Sequence, residues 1–150
     1  MTAVSPRPQS IAEIARRAKE NLKGFDAAVR EFLDSWQSMS ATARFDALTE
    51  EPQSLGRIHD AYLAALAEHL ALSERTLAPA WGEAPARFLG EPFFAGGLES
   101  LKATLLAESP LAFRRRLIFI SADGLSRPRR EFIQDNALNV VNLDVGRRLL

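Results

Sequence analysis

The sequence contains no cysteine, and this absence removes three kinds of chemistry at once. Disulfide bridges, zinc sites with thiolate ligands and cysteine nucleophiles are all excluded. A chain without cysteine is also compatible with a reducing compartment, although it does not require one.

Long apolar runs are missing as well. No window approaches the roughly 18 uninterrupted apolar residues that a membrane-spanning helix needs. The first ten residues, MTAVSPRPQS, contain two prolines and no apolar stretch, so we expect no secretory signal. These features predict no membrane partner and a cytoplasmic location.

The sequence also lacks an excess of charge of one sign, because 19 basic side chains balance 19 acidic ones. The protein as a whole therefore has no field that would hold nucleic acid or an acidic membrane. Hydrophobic residues make up 47% of the chain and charged residues 25%, which is typical of a folded domain rather than a disordered chain. The length of 150 residues is typical of one domain.

The spacing of the apolar residues predicts an all-α fold, a compact bundle of about five to six helices. Ser10 and Glu13 have the spacing of a capping box, which predicts a helix start at Ser10, and Gly24 is its expected end. Further helices are predicted over residues 26–39, from Ser40 to before Pro52 with Phe45 and Leu48 on it, over 98–107, and from the N-cap pair Ser109–Pro110 onward.

Residues 55–72 carry the strongest helical pattern. One side forms an apolar stripe, and the opposite side is apolar or small as well. A helix that is apolar on nearly all sides is usually central in its fold. We therefore expect the core to surround this helix.

The segment from Ser73 to Gly97 is broken by prolines and glycines but is rich in large aromatic residues. It is predicted to be ordered and packed on the surface of the bundle. Its aromatic residues fit a stacking platform, a satellite core or the roof of a small-molecule pocket. They are Trp81, Phe88, Phe93 and Phe94.

The chain is expected to divide into three parts. Residues 1–9 form a flexible arm, residues 10–120 form the single helical domain, and residues 121–150 form a loosely ordered, arginine-rich tail. The apolar stretch from Leu117 to Ile120 fits either a short strand or the end of a helix.

No catalytic, cofactor-binding or metal-binding residues are predicted. His59 and His69 lie ten residues apart on one predicted helix, whereas a shared metal would need a spacing of three or four. The sequence has no GxSxG elbow, and Gly96–Gly97 is too short to make a phosphate loop.

The distribution of charge is more informative than its sum. Residues 1–109 hold 11 basic and 15 acidic side chains, whereas residues 110–150 hold 8 basic and 4 acidic ones. All eight basic residues of the C-terminal quarter are arginines, which suit phosphates and carboxylates because their donors form a planar fork. Those that we consider candidate partner-binding residues, with Trp81 and Phe88, are Arg114, Arg115, Arg116, Arg127, Arg129 and Arg130.

Three roles remain open for these arginines: binding nucleic acid, binding an acidic protein, or pairing with carboxylates of the same chain. Arg114, Arg115 and Arg116 spread over about 200° of a helix circumference. At least one of the three should therefore point away from the others, toward an internal ion pair.

Four strings resemble a family of uncharacterised bacterial proteins associated with toxin–antitoxin-like loci. They are DAYLAALAEHLA at residues 60–71, APAW at 78–81, RFLGEPFF at 87–94 and LLAESPLAFRRRLIFIS at 105–121. The resemblance covers about residues 26–123, and ESPLAFRRR is its most specific part. The matching motif positions are Trp81, Phe88, Pro110, Phe113, Arg114, Arg115 and Arg116.

In such loci the neighbouring gene often encodes a nucleotidyltransferase-like protein of the AbiEii or a related type. The resemblance thus implies a small helical antitoxin that neutralises the product of the adjacent gene by direct binding, and it supplies no catalytic residues. Some members carry an N-terminal helix-turn-helix, but this chain has one capped helix before Gly24, so DNA binding of that kind is not expected.

The leading functional hypothesis is consequently a non-enzymatic protein-interaction module. The alternative is a nucleic-acid-binding protein that uses the C-terminal arginines. A third hypothesis, an enzyme or carrier with a pocket beneath the aromatic segment, requires a deep cavity with converging polar groups.

Overall fold

The computed structural model describes residues 7–95, 101–121 and Leu125. This part of the chain is mostly helical, as the sequence predicted, and it also contains one short parallel sheet. Its α-helices are α1 (Ile11–Glu20), α2 (Phe25–Trp36), α3 (Ala41–Thr49), α4 (Arg57–Ser73), α5 (Lys102–Glu108) and α6 (Leu111–Arg114). Three 3-10 turns (Leu22–Gly24, Ala80–Glu83 and Pro85–Arg87) and two strands, β1 (Phe93–Phe94) and β2 (Ile118–Phe119), complete the order.

Helix α4 is the centre of the molecule, which confirms the prediction. It packs against α3, α6 and both 3-10 turns of the segment that follows it. Its buried alanines let these neighbours approach closely from several sides, while Leu63 and Leu66 fill the space between them. On the other side of the core, α1 packs against α2 through Ile11, Ile14 and Phe32.

Polar side chains set the starts of α1 and α3 as predicted. The Ser10 hydroxyl accepts a hydrogen bond from the Glu13 amide at 3.0 Å, and the Ser40 hydroxyl accepts one from the Ala43 amide at 3.1 Å. The Glu13 carboxylate, however, accepts from the amide of Gln9 at 2.8 Å rather than from that of Ser10. The capping interaction therefore extends one residue into the segment that was expected to be a flexible arm, and Pro8 is fully buried there.

Two predicted boundary residues have different roles from those expected. Helix α1 ends at Glu20 because Asn21 is extended, and Gly24 is instead the residue before α2. Ser109 was predicted to cap the start of α6. The N-cap of α6 is instead Pro110, and Ser109 is the C-cap of α5. Helix α2 also ends at Trp36, earlier than the predicted Met39, and residues 37–38 form a turn.

The apolar stretch after α6 is a strand. Ile118 and Phe119 pair in parallel with Phe93 and Phe94, through hydrogen bonds that include one from the Phe93 amide to the Leu117 carbonyl at 2.8 Å. Leu117 has a positive φ of 63°, which turns the chain from α6 into β2. The aromatic segment and the end of α6 are thus joined into one surface layer over α4.

Leu125 is the one described residue beyond Ser121, and it is buried in the core. The remainder of the predicted tail lies outside the described residues, as do residues 1–6 and 96–100. Within the part of the chain that is described, no helix is long and apolar enough to cross a membrane.

Candidate functional site

The three consecutive arginines occupy three different environments. Helix α6 is one turn long, and the chain leaves it through residues 115–117. Arg114 is exposed, the side chain of Arg115 is 35% exposed, and that of Arg116 is completely buried. Successive residues of a helical turn point in directions about 100° apart, so the three side chains diverge as the sequence predicted.

Both terminal nitrogens of Arg116 are bound by the protein itself. Its Nη1 donates to Glu68 Oε1 at 2.6 Å and to the Ala112 carbonyl at 2.9 Å, and its Nη2 donates to the Gly82 carbonyl at 2.9 Å. Its guanidinium carbon lies 4.6 Å from the centre of the Phe88 ring. Arg116 thus ties α4, α6 and the first 3-10 turn of the aromatic segment together.

Arg115 completes this network at its solvent-facing rim. It binds Glu83 through two parallel hydrogen bonds of 2.9 and 3.0 Å, and it contacts Glu68 at 2.7 Å. The hydrogen bond from Arg115 lowers the pKa of Glu83, and the hydrogen bonds from Glu83 and Glu68 raise the pKa of Arg115. The ion pair therefore favours the charged form of both groups.

The sequence did not identify the partners of these arginines. Glu68 lies 47 residues before Arg115, and Glu83 lies 32 residues before it. One signal was present, since Glu68 is a carboxylate within a helix that is otherwise apolar on nearly all sides. An isolated charge of that kind usually has a partner of opposite sign.

The aromatic residues of the surface segment are all engaged within the molecule. The Trp81 indole donates to the Leu48 carbonyl at 3.0 Å, and its ring lies 5.0 Å from the Arg87 guanidinium. Phe88 covers Arg115 and Arg116, whereas Phe94 stacks on Phe119. These contacts are those of a satellite core.

A cleft of about 440 Å³ lies near this segment, beside the start of α4. Four of its polar side chains bind one another, those of Glu51, Ser54, Asp60 and Arg87. Arg87 donates to the carbonyls of Pro52 and Asp60, and the Asp60 carboxylate accepts from the Ser54 hydroxyl at 2.6 Å and from the Leu55 amide at 2.7 Å. The cleft is open to solvent and holds no converging set of free donors and acceptors, so it gives the pocket hypothesis no support.

The two histidines lie far apart on α4 and contact different aromatic rings. His59 meets Phe25 edge-on at 4.5 Å, and His69 meets Phe113 at 6.3 Å. Burial lowers the pKa of His69. Among the described residues, no group of three histidine, aspartate or glutamate side chains could hold a metal ion.

Of the predicted partner-binding residues, Arg114 alone is exposed and unpaired within the described part of the chain. Its side chain has no hydrogen-bond or ion-pair partner within the described part of the chain. Arg127, Arg129 and Arg130 lie outside that part. Arg115 and Arg116 bind carboxylates of the same chain. Arg114 is therefore the one arginine of the three that is available to contact a phosphate.

Three large apolar side chains are exposed where α3 meets the end of α4. Leu77 is 93% exposed, Phe45 58% and Leu72 52%. Arg44, next to Phe45, binds Glu74 at 2.8 Å and so holds the two elements together. We call these three side chains, Phe45, Leu72 and Leu77, the apolar end.

The backbone of the apolar end is fixed by a well-defined helix terminus. After α4, the Thr76 amide donates to the Ala71 carbonyl at 2.9 Å and the Arg75 amide to the Leu72 carbonyl at 3.1 Å. These two bonds and the positive φ of Arg75 make a Schellman motif. Leu77 follows this turn directly, and its side chain is held in solvent by an ordered backbone.

No known protein family, curated protein or solved structure matches this chain. The resemblance to toxin–antitoxin-associated proteins therefore stays a prediction from the sequence.

Proposed function

We propose that this protein is a non-enzymatic module that binds another protein, and in its sharpest form an antitoxin that neutralises a nucleotidyltransferase-like enzyme. The observation that carries the proposal is the apolar end, where an ordered turn holds Leu77 almost fully in solvent. Leucine on a fixed backbone loses little conformational entropy on binding and gains from desolvation.

The internal pairing of the polar clusters supports the same proposal. Arg115, Arg116 and Arg87 are each bound by carboxylates or carbonyls of this chain, as the hydrogen bonds above show. A catalytic site keeps polar groups available to a substrate, whereas these groups connect elements of the fold. The proposal does not rest on the arginine run, of which Arg114 alone is free among the described residues.

The direct test is co-expression of the full chain with the product of the adjacent gene, followed by purification of the complex. We expect a complex at micromolar concentrations, and Leu77→Glu should weaken it about tenfold or more because a charge replaces an apolar contact. Leu22→Glu is the matched control, since Leu22 is a 47% exposed leucine on a different turn.

Two results would count against the proposal. The absence of any complex at micromolar concentrations would remove the antitoxin function. Equal binding by Leu77→Glu and the unaltered protein would show that the apolar end is not the contact surface.

A further inference from the structure

Arg75 has a backbone conformation that arginine rarely adopts. Its φ of 57° lies in the left-handed region, where the Cβ atom crowds the following carbonyl oxygen and where glycine is favoured. Arg75 is the C′ residue of the Schellman motif that ends α4, the position at which glycine is the usual residue. The motif requires this backbone conformation, but it does not require an arginine side chain.

Leu117 is the other described non-glycine residue with a positive φ, and it differs from Arg75 in its surroundings. The side chain of Leu117 packs against the core, so apolar contacts offset the strain of its φ of 63°. Arg75 is exposed, and its side chain has no hydrogen-bond, ion-pair or ring partner within the described residues. No such contact within this part of the molecule offsets the strain at Arg75.

The preceding residue and the end of the helix do not account for the arginine. Glu74 precedes Arg75 directly, but its carboxylate binds Arg44 at 2.8 Å. A cation is favourable at the C-terminal end of α4, yet a residue of the last helical turn, such as Ser73, could carry that cation in ordinary helical geometry. A strained residue without an internal partner points to a role outside the fold.

Arg75 lies two residues before Leu77 on the same ordered turn. The Thr76 hydroxyl, between them, donates to the Ala71 carbonyl at 3.2 Å, and Ala78 packs against the core. Leu77 thus stands between two anchored residues while it is 93% exposed. Two residues of chain span at most about 7 Å, so a molecule that covers Leu77 comes within reach of the Arg75 guanidinium.

We propose that Arg75 forms an ion pair with a carboxylate of the protein that receives Leu77. The partner surface that fits is an apolar pocket with an acidic side chain at its rim. A phosphate would also attract the arginine, but a nucleic-acid backbone gains nothing from Leu77, whereas an apolar protein pocket does. This inference rests on the proposed function and specifies the chemistry of the partner at the same turn.

The test measures the affinity of the full chain for the product of the adjacent gene, with substitutions at residue 75. Arg75→Gln removes the charge and keeps the strain, and it should raise the dissociation constant about threefold to fivefold, as expected for the loss of one exposed ion pair. Arg75→Lys keeps the charge and should retain most of the affinity. Arg30→Gln is the matched control and should leave the affinity unchanged, since Arg30 is exposed on α2 and has no partner within the described residues.

Arg75→Gly separates binding from stability. This change should raise the melting temperature because it relieves the strain, and it should still weaken the complex as much as Arg75→Gln does. A general loss of structure would lower the melting temperature and the affinity together. The affinity of the unaltered protein should also fall more steeply with added salt than that of Arg75→Gln, because salt screens an exposed ion pair.

Three results would overturn the inference. Equal affinity of Arg75→Gln and the unaltered protein, in a complex that Leu77→Glu weakens, removes the inference and leaves the proposed function intact. The absence of any complex at micromolar concentrations removes both. Binding to a mixed pool of DNA and RNA that Arg75→Gln weakens, while the protein complex is unaffected, would assign Arg75 to a phosphate instead.

Discussion

Arg116 has the largest fully buried side chain among the described residues. Removing a guanidinium from water is costly, and the cost is offset only where charges and hydrogen bonds replace the lost hydration. Glu68 and two carbonyls supply this replacement, and the Phe88 ring lies against the guanidinium, whose Nε atom has no hydrogen-bond partner. Arg116 is therefore a structural residue of the fold.

Replacing Arg116 with methionine should lower the free energy of unfolding by about 3–5 kcal/mol. The change keeps most of the side-chain volume but leaves Glu68, which is 13% exposed, without its closest partner. Urea denaturation measures the effect. Arg114→Met is the matched control and should change stability by less than about 0.5 kcal/mol, because Arg114 is exposed and unpaired among the described residues. A loss below about 1 kcal/mol for Arg116→Met would contradict this account.

Arg75 stands at a backbone position that favours glycine. Its φ of 57° is in the left-handed region, at the residue that ends α4 in a Schellman motif. Arg75→Gly should raise the free energy of unfolding by about 0.5–1 kcal/mol, since the relief of strain exceeds the added entropy of the unfolded chain. Thermal and urea unfolding check this value.

Leu117 provides the contrast for Arg75, with a φ of 63° but a side chain that packs against the core. Leu117→Gly should not stabilise the protein, because the lost apolar contact is larger than the strain that is relieved. A stabilisation at residue 117 equal to that at residue 75 would show that the strain argument is incomplete.

At the scale of elements, Ser109 is the joint between α5 and β2. Its hydroxyl accepts from the Ile120 amide at 2.8 Å and lies 2.5 Å from the Leu105 carbonyl and 2.9 Å from the Ile120 carbonyl. Few other contacts hold α5, since only Leu105 of the helix is buried. The hydroxyl is therefore a direct hydrogen-bonding link between this short helix and the strand.

Ser109→Ala should lower the free energy of unfolding by about 1–3 kcal/mol, because it leaves a buried amide without an acceptor. Amide hydrogen exchange should accelerate most over α5 and β2, where local opening is then easier. Ser38→Ala removes an exposed serine that donates to a carbonyl, and it should change stability by less than about 0.5 kcal/mol. Equal effects of the two changes would contradict the role of Ser109.

His69 of α4, which contacts Phe113 of α6, should make the stability of the protein depend on pH. Burial lowers the pKa of His69 below 6.5 in the folded protein, so the unfolded chain binds the proton more readily. The free energy of unfolding should therefore fall as the pH drops through about 6.5 and become constant below the lowered folded pKa. Thermal unfolding from pH 8 to 5.5 measures this, and His69→Gln should flatten the profile in that window.

At the scale of the whole molecule, the uneven distribution of charge joins two parts of the chain. The C-terminal quarter is rich in arginine and the preceding part is rich in acidic residues. Arg115 and Arg116 bind Glu68 and Glu83 of that preceding part. Part of the charge segregation thus serves the attachment of α6 and β2 to the central helix.

Features within one element were predictable because they depend on neighbours in the sequence. The central position of α4 follows from its apolar pattern, and the starts of α1 and α3 follow from Ser10 and Ser40. The roles of Gly24 and Ser109 were not predictable, because each of these residue types occurs both at the start and at the end of helices. The Ser109 hydroxyl also binds Ile120, which is eleven residues away in the sequence.

The sequence by itself determined that this protein is mostly helical, that α4 is its centre and that at least one of the three consecutive arginines points away from the others. Hydrophobic periodicity and the 100° step of a helix contain that information. The tertiary structure alone decided that Arg115 and Arg116 are held by Glu68 and Glu83, while Arg114 faces solvent. Ion pairs between residues more than 30 positions apart depend on how the helices pack, which no local pattern records.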